Sequence, residues 1–167
     1  DATYEQTIRI DVSNLEPLVI LPHKVAHNAC PATELSETKI DQAFIGSCAN
    51  GRIEDFAIAA EIMAGRQVAP GVRMIVTPGS QSVLKEAMAK GYVATLMDAG
   101  AVVTNSTCGA CYGGHMGVLG DGEVCITAST RNFQGRMGSA EADIYLGSPA
   151  TVAASAVRGV ITDPREI

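Results

Sequence analysis

The sequence has little aromatic character and no tryptophan. Aromatic side chains make up 4% of the residues, which disfavours both an aromatic-rich sandwich and a base-stacking platform for nucleic acids. No apolar run approaches the roughly 18–20 residues that are needed to span a bilayer. Charged residues contribute 18% and hydrophobic residues 47%, a balance too apolar for a disordered chain. These absences predict a soluble globular protein, and its 167 residues suit one domain of common size or two small ones.

An excess of positive charge is also missing. The chain has 12 Lys and Arg against 18 Asp and Glu, a formal net charge of -6, and neither sign is gathered into a patch or a tail. Nucleic acid is therefore not an expected partner. Any anionic ligand must be recognised by a few well-placed cations.

The sequence lacks the marks of a secreted, disulfide-framed domain. It has five cysteines, an odd number, and no signal-like segment at its start. Reduced thiols and a cytoplasmic location are predicted. Residues 1–10 have the alternation of an amphipathic strand and do not begin with Met, so we expect residue 1 to follow from a longer polypeptide.

From Asp41 onward, short apolar runs alternate with longer stretches of helical periodicity. This alternation predicts an α/β fold with three layers, α/β/α, around a mainly parallel sheet. Strands are predicted at 41–48, 72–77, 101–104 and 124–127, and helices at 53–65, 80–90, 93–99 and 149–157. The proline-containing segment 15–39 predicts an extended arm or linker. The chain is thus divided into a strand and arm at 1–40 and an α/β domain at 41–167.

Three predicted strands end in small, glycine-rich loops, at 46–52, 105–111 and 128–136. The carboxyl ends of parallel strands share one edge of a sheet, so these loops are expected to bring Cys48, Cys108 and Cys111 together. The Cys-x-x-Cys pair by itself allows a redox disulfide, half of a zinc site or two ligands of an iron-sulfur cluster. Three thiolates without an obvious fourth ligand suit a cubane cluster with one iron open to substrate.

Other polar residues in these loops have two possible roles. Arg131 and Arg136 can form bidentate pairs with a carboxylate above a cluster, or they can be surface arginines. The position of Arg52 at a predicted helix start favours a structural role for this residue. His115 can equally bond a sulfur atom or the local backbone. The remaining cysteines, one in the arm and one in an apolar strand, are interpreted as ordinary buried or structural residues.

Three motifs, in this order and spacing, resemble the aconitase superfamily. They are Ile45-Gly-Ser-Cys-Ala-Asn50, Cys108-Gly-Ala-Cys111 and Arg131-Asn-Phe-Gln-Gly-Arg136. The stretch Gly113-Gly-His-Met-Gly117 and the ending Tyr145-Leu-Gly-Ser-Pro-Ala150 most resemble the large subunits of the isopropylmalate dehydratase and homoaconitase-like branch. The resemblance covers nearly the whole chain from about Leu15. It corresponds to about the last two-fifths of a large subunit of this family, which is the third α/β domain and carries the cluster.

The resemblance implies that Cys48, Cys108 and Cys111 ligate a 4Fe-4S cluster that acts as a Lewis acid in a dehydration. Arg131 and Arg136 would hold carboxylates of a small polycarboxylate substrate, with Asn50 beside the cluster. The family's catalytic base is a serine of a separate swivelling domain or small subunit, and no position here matches it. The resemblance also implies N-terminal domains of the large subunit as further partners, so this chain alone is expected to be inactive.

Three positions depart from the family pattern. Ala49 stands where Thr is usual, Ala110 where Pro is frequent, and Thr130 where Asn precedes Arg131. The last change removes an amide, so substrate contacts are expected to differ. The sequence therefore leaves open which 2-hydroxy di- or tricarboxylic acid is used, isopropylmalate, a homoaconitase substrate or another malate derivative. It also leaves open a non-catalytic iron-sulfur or metal-binding module.

Overall fold

The computed structural model of the protein describes residues 2–167. Seven strands form one sheet: β1 Leu18–Ile20, β2 Ala29–Pro31, β3 Gln42–Gly46, β4 Arg73–Thr77, β5 Val102–Val103, β6 Val124–Thr127 and β7 Asp143–Leu146. Their order across the sheet is β2-β1-β7-β6-β3-β4-β5. The five strands from β3 to β7 run parallel, and β1 and β2 add an antiparallel hairpin beside β7.

The helices are α1 Ser47–Asn50, α2 Ile53–Met63, α3 Gln81–Ala89, α4 Tyr92–Asp98 and α5 Pro149–Arg158, with 3-10 turns at Ala32–Leu35 and Pro164–Glu166. Serine hydroxyls cap the N-termini of two helices. Ser80 accepts a hydrogen bond from the Val83 N–H at 3.2 Å before α3, and Ser148 accepts one from the Thr151 N–H at 3.1 Å before α5. No helix within residues 2–167 has both the length and the apolar character that a membrane crossing requires.

Alternating side chains of the central strands build two apolar layers. Ala43 and Ile45 of β3 belong to the layer shared with α2, α4 and α5, whereas Phe44 between them belongs to the opposite layer. Loops cover that second layer, through the buried side chains of Leu119 and Met137. The predicted α/β fold with a mainly parallel sheet is confirmed, and its third layer is made by these loop segments.

Each strand and helix predicted after Asp41 is present, with ends within a few residues of the predicted ones. The predicted strand at 1–10 is wrong for residues 2–10, which form no strand; Asp1 lies outside the described residues. The apolar side chains of this segment do not pack on the sheet, since Ile8 and Ile10 are 72% and 79% exposed. A strand is stable only with a neighbour, and nothing in the described part of the chain pairs with this one.

The arm contributes more to the fold than an extended linker would. Its two strands, β1 and β2, extend the same sheet that the later residues build. Asn132 fastens the arm to the domain, since its Nδ2 donates to the carbonyls of Leu21 at 2.7 Å and Ile144 at 3.2 Å. The division of the chain into 1–40 and 41–167 stays a prediction.

The strand order creates a switch point between β3 and β6. From β3 the chain first builds outward through β4 and β5, and later returns to place β6 on the other side of β3. In open α/β sheets the carboxyl ends of the strands at such a point line a ligand crevice. The loops that carry the predicted site residues begin at this edge.

Candidate functional site

Cys48 lies on the short helix α1, directly after strand β3, and its side chain is exposed. Two glycines shape the turn that presents it. Gly46 has a φ of 143°, and an added Cβ would collide with the carbonyl of Thr77. A Cβ on Gly51 would stand 2.5 Å from the Ser47 carbonyl oxygen. Only glycine fits at these two positions, so the sequence pattern around Cys48 is dictated by the close approach of β4.

Cys108 and Cys111 bracket a tight turn after strand β5. The Cys111 N–H donates to the Cys108 carbonyl at 3.0 Å, and the Gly109 N–H donates to the Thr107 hydroxyl at 2.8 Å. Cys108 is exposed and Cys111 is half-buried. The turn is not the start of a helix, which is where a thioredoxin-like dithiol would lie.

Glycine also brings this turn to the end of the central strands. A Cβ on Gly109, whose φ is 54°, would meet the Thr77 hydroxyl of β4 at 2.5 Å and the Phe44 ring of β3 at 3.2 Å. Cys108 therefore precedes a residue seated against the same two strands that border the Cys48 turn. The two cysteine loops share one edge of the sheet.

Arg136 contacts the second cysteine of this turn directly. Its Nε donates to the Cys111 carbonyl at 2.9 Å, and its Nη2 lies 3.6 Å from the Cys111 sulfur. The guanidinium also lies over the Phe133 ring, 5.3 Å from its centroid. The structure thus places Arg136 on the cysteine loop, a contact that the sequence did not indicate.

Arg131 is exposed and contacts the protein only weakly. Its Nη1 donates to the neighbouring Thr130 hydroxyl at 3.3 Å. Within residues 2–167 it takes part in no ion pair. A guanidinium in this state can receive a carboxylate from solution.

Asn50 connects the first loop to the third. Its Nδ2 donates to the carbonyl of Ala128, just after β6. This hydrogen bond crosses the switch point between β3 and β6. Because one of its donors is used in this way, Asn50 holds two loops in place, and its predicted contact to a cluster or ligand stays a prediction.

His115, Cys125 and Cys30 make no contact among the described residues that assigns them to the site of the three loop cysteines. His115 Nδ1 lies 3.4 Å from the Thr107 hydroxyl, a local contact within the loop. Burial raises the pKa of the Cys125 thiol to about 12, so that Cys125 stays protonated and inert. Burial, with the charge of Glu34, also raises the pKa of Cys30. Their interpretation as structural residues is consistent with these positions.

The three loop cysteines offer thiolate donors, which iron-sulfur clusters and zinc sites both use. All three are free thiols on one edge of the sheet. No group of three or more His, Cys, Asp or Glu side chains in the described part of the chain is arranged around one metal ion. In a cubane each thiolate binds a different iron, so the thiolates stand further apart than ligands of one ion.

A cleft of about 430 Å³ opens beside this edge. Apolar side chains of the β1–β2 hairpin form one wall, and Asn50, Ser129 and Thr130 form the other. Ser129 is 6% exposed, and its hydroxyl oxygen has no hydrogen-bond partner among residues 2–167. Ser129 was not among the site residues predicted from the sequence, although its place directly after a predicted strand in a glycine-rich loop was a usable signal.

Comparisons with known proteins show the family to which the chain is related. The model of the family described as "Aconitase family (aconitate hydratase)" matches residues 23–159. A "3-isopropylmalate dehydratase large subunit" of Mycolicibacterium smegmatis is 62% identical over 167 residues, which are 100% of this chain and 40% of that protein. A protein of the same description from Nitratiruptor is 57% identical over 100% of this chain and 40% of its own length.

A third relative shows the same relation. A "3-isopropylmalate dehydratase large subunit 2" of Archaeoglobus fulgidus is 51% identical, over 99% of this chain and 40% of its own length. The chain therefore spans about two-fifths of the length of the curated relatives it matches.

Proposed function

This chain belongs to the aconitase family, and from that premise we propose that it is the cluster-bearing part of a hydro-lyase large subunit. The substrate is a small 2-hydroxy di- or tricarboxylic acid such as isopropylmalate. The observation that carries this proposal is the placement of three free cysteines on neighbouring loops at one edge of a parallel sheet. The names of relatives at 51–62% identity support it.

In this proposal Cys48, Cys108 and Cys111 hold a 4Fe-4S cluster. Two of the thiols are exposed and the third is half-buried, so all three can be reached by iron and sulfide. When bound, the cluster supplies a Lewis acid that makes hydroxide a tolerable leaving group. The glycines of the two loops let the backbone approach closely without covering the sulfur atoms.

The two arginines have different proposed roles: Arg131 binds the substrate, and Arg136 mainly positions Cys111. Arg131 is proposed to bind a substrate carboxylate, because its guanidinium is exposed on the loop after β6. Arg136 uses Nε and Nη2 on Cys111. Its Nη1 has no partner within residues 2–167 and is proposed to contact a second carboxylate.

The proton that leaves the carbon adjacent to the hydroxyl-bearing carbon is proposed to pass to a serine of a small, swivelling subunit. The printed name "large subunit" of the relatives supports a second subunit. The N-terminal domains of the large subunit are proposed to complete the cleft. The cytoplasmic location expected from the reduced cysteines stays a prediction.

Anaerobic reconstitution of this chain with iron and sulfide tests the cluster. We expect a brown protein with a broad visible absorption band and about four irons per chain. Single Ser variants of Cys48, Cys108 and Cys111 should each lose the band while they keep the far-UV circular dichroism of the parent. Cys30→Ser is the matched control and should keep both. Stoichiometric zinc without colour, or a band that survives all three variants, would refute the assignment.

A further inference from the structure

Residues 3–12, ahead of strand β1, alternate between polar and apolar side chains. The odd positions from 3 to 11 carry polar or charged side chains. The even positions are apolar, with Gln6 as the exception: Tyr4, Ile8, Ile10 and Val12. A period of two places all four apolar side chains on one face of a strand.

This apolar face is exposed in the described part of the chain. The exposed fractions are 76% for Tyr4, 72% for Ile8, 79% for Ile10 and 63% for Val12. Nothing among residues 2–167 pairs with the segment. Single exposed apolar side chains are common on protein surfaces, whereas several on one face of one segment mark an interaction surface.

The segment ends in a turn of its own. The Ser13 N–H donates to the Asp11 carboxylate at 2.9 Å, and the Leu15 N–H donates to the Val12 carbonyl at 3.2 Å. This turn separates the segment from β1, which begins at Leu18. Ten residues in extended conformation span about 33 Å. The segment is therefore a separate element and not an extension of β1.

Neither edge of the sheet in this chain can pair with so long a strand. One edge is β2, which has three residues and ends in Pro31, and proline has no backbone N–H to donate. The other edge is β5, which has two residues.

A second copy of the chain offers no better partner. It has the same two short edges, and pairing of the segment with its own copy gives a two-stranded ribbon, which is marginally stable in water. The edge that suits this segment therefore belongs to neither copy among the described residues.

The curated relatives have room for such an edge, because this chain spans only about two-fifths of their length. We propose that residues 3–12 form a strand that pairs with a sheet edge in the remaining, larger part of the large subunit. The proposal rests on the proposed function, which makes this chain part of a large subunit, and adds an interaction surface to it.

In this pairing the main chain supplies the ladder of hydrogen bonds and the alternate side chains supply selectivity. The apolar face turns toward the core of the partner sheet, and Glu5, Arg9 and Asp11 turn toward water. A slip of one residue would bring these charges onto the core face. The alternation therefore fixes the register of the strand.

Hydrogen exchange read by mass spectrometry tests the pairing, on the 167-residue chain and on the complete large subunit. In the chain alone, we expect peptides from residues 3–12 to exchange as fast as an unfolded peptide. In the complete large subunit they should exchange about a hundredfold more slowly, because paired amides exchange only when the strand opens. Peptides from β3 are the internal reference and should be slow in both proteins.

Ile8→Lys places a charge on the apolar face, and Thr7→Lys is the matched control on the opposite face. In the complete large subunit, Ile8→Lys should return residues 3–12 to fast exchange and lower the melting temperature, whereas Thr7→Lys should preserve both. In the 167-residue chain neither variant should change the melting temperature, because both side chains are exposed there. The contrast between neighbouring residues tests the period of a strand.

Fast exchange of residues 3–12 in the complete large subunit, or equal effects of the two variants there, would overturn the proposal. Protection in the isolated chain that rises with protein concentration would also overturn it, because it would assign the face to a second copy. None of these readouts needs a cluster or a substrate. Slow exchange in a complete protein that dehydrates no hydroxy acid would refute the proposed function and support the strand pairing. Dehydration combined with fast exchange would do the opposite.

Discussion

The guanidinium of Arg136 joins two loops that are distant in sequence. It contacts both the backbone carbonyl and the sulfur of Cys111, 25 residues away. The planar fork of arginine suits such a double contact, whereas a lysine can offer only one point of charge. At the residue scale, Arg136 therefore positions a cysteine that is proposed to bind iron.

We expect Arg136→Lys to loosen the Cys111 turn. Loss of a hydrogen bond of about 1 kcal/mol corresponds to roughly a fivefold rise in local opening. The rate at which iodoacetamide alkylates Cys111 in the cluster-free chain, read by mass spectrometry, should rise by a similar factor. Arg131→Lys should leave that rate unchanged, because Arg131 does not contact the turn. Equal rates in both variants would show that Arg136 does not hold the cysteine.

Cys125 makes the stability of the fold sensitive to alkaline pH. Burial raises the pKa of its thiol from 9.0 to about 12. The unfolded chain therefore loses this proton before the folded chain does. The stabilisation is complete below pH 9 and is lost as the pH rises toward 12, by up to roughly 4 kcal/mol.

We expect Cys125→Ala to flatten this alkaline decline. Urea unfolding from pH 8 to pH 10.5 gives the free energy of unfolding for each protein. The parent should lose stability faster than the variant, and the difference should grow with pH. Parallel curves would mean that the pKa of Cys125 does not differ between the folded and the unfolded chain. A constant offset from the lost packing of the sulfur does not affect the slope.

At the scale of elements, the turn from β3 into α1 is built on the contact with β4. The Gly79 N–H donates to the Gly51 carbonyl at 2.7 Å, and Gly51 has backbone oxygens of Ser47 and Thr77 where a Cβ would stand. These neighbours are main-chain atoms, which cannot rotate out of the way. The end of α1 must move away from the end of β4 to admit any larger residue.

Gly51→Ala is therefore expected to destabilise the chain by about 2–3 kcal/mol, in the range of overpacked sites. Gly120→Ala is the matched control, because its added Cβ would meet only the Glu123 carboxylate, at 3.8 Å. It should change stability by less than about 1 kcal/mol. Thermal unfolding measures both. A Gly51→Ala protein as stable as the control would contradict the close approach of the α1 end to β4.

The whole molecule combines a preformed cleft, two arginines and three cysteines, but the proposed proton acceptor belongs to another subunit. We expect the reconstituted chain alone to dehydrate no branched hydroxy acid. The complete large subunit with its small subunit should do so, with turnover lost in Cys108→Ser. Absorbance of the unsaturated acid product follows the reaction. Turnover by the chain alone would refute the division of the reaction between subunits.

The sequence by itself determined the local elements and the chemistry of the loops. Strand and helix periods, serine caps and terminal glycines are properties of short segments. They predicted every strand and helix after Asp41 except strand β7 and helix α1, each of which has only four residues. The cysteine motifs were equally visible, because their spacing is written in consecutive residues.

Only the tertiary structure decided which individual residues of these loops contact each other. The contacts of Asn50 with Ala128 and of Arg136 with Cys111 join residues 78 and 25 positions apart. Neither contact has a local pattern. Likewise the arm forms one wall of a cleft, because β1 pairs with β7, the outermost of the parallel strands. Residues 2–10 pair with no strand in the described part of the chain. Local geometry is encoded by neighbours along the chain, whereas such contacts depend on how distant surfaces fit once the sheet has assembled.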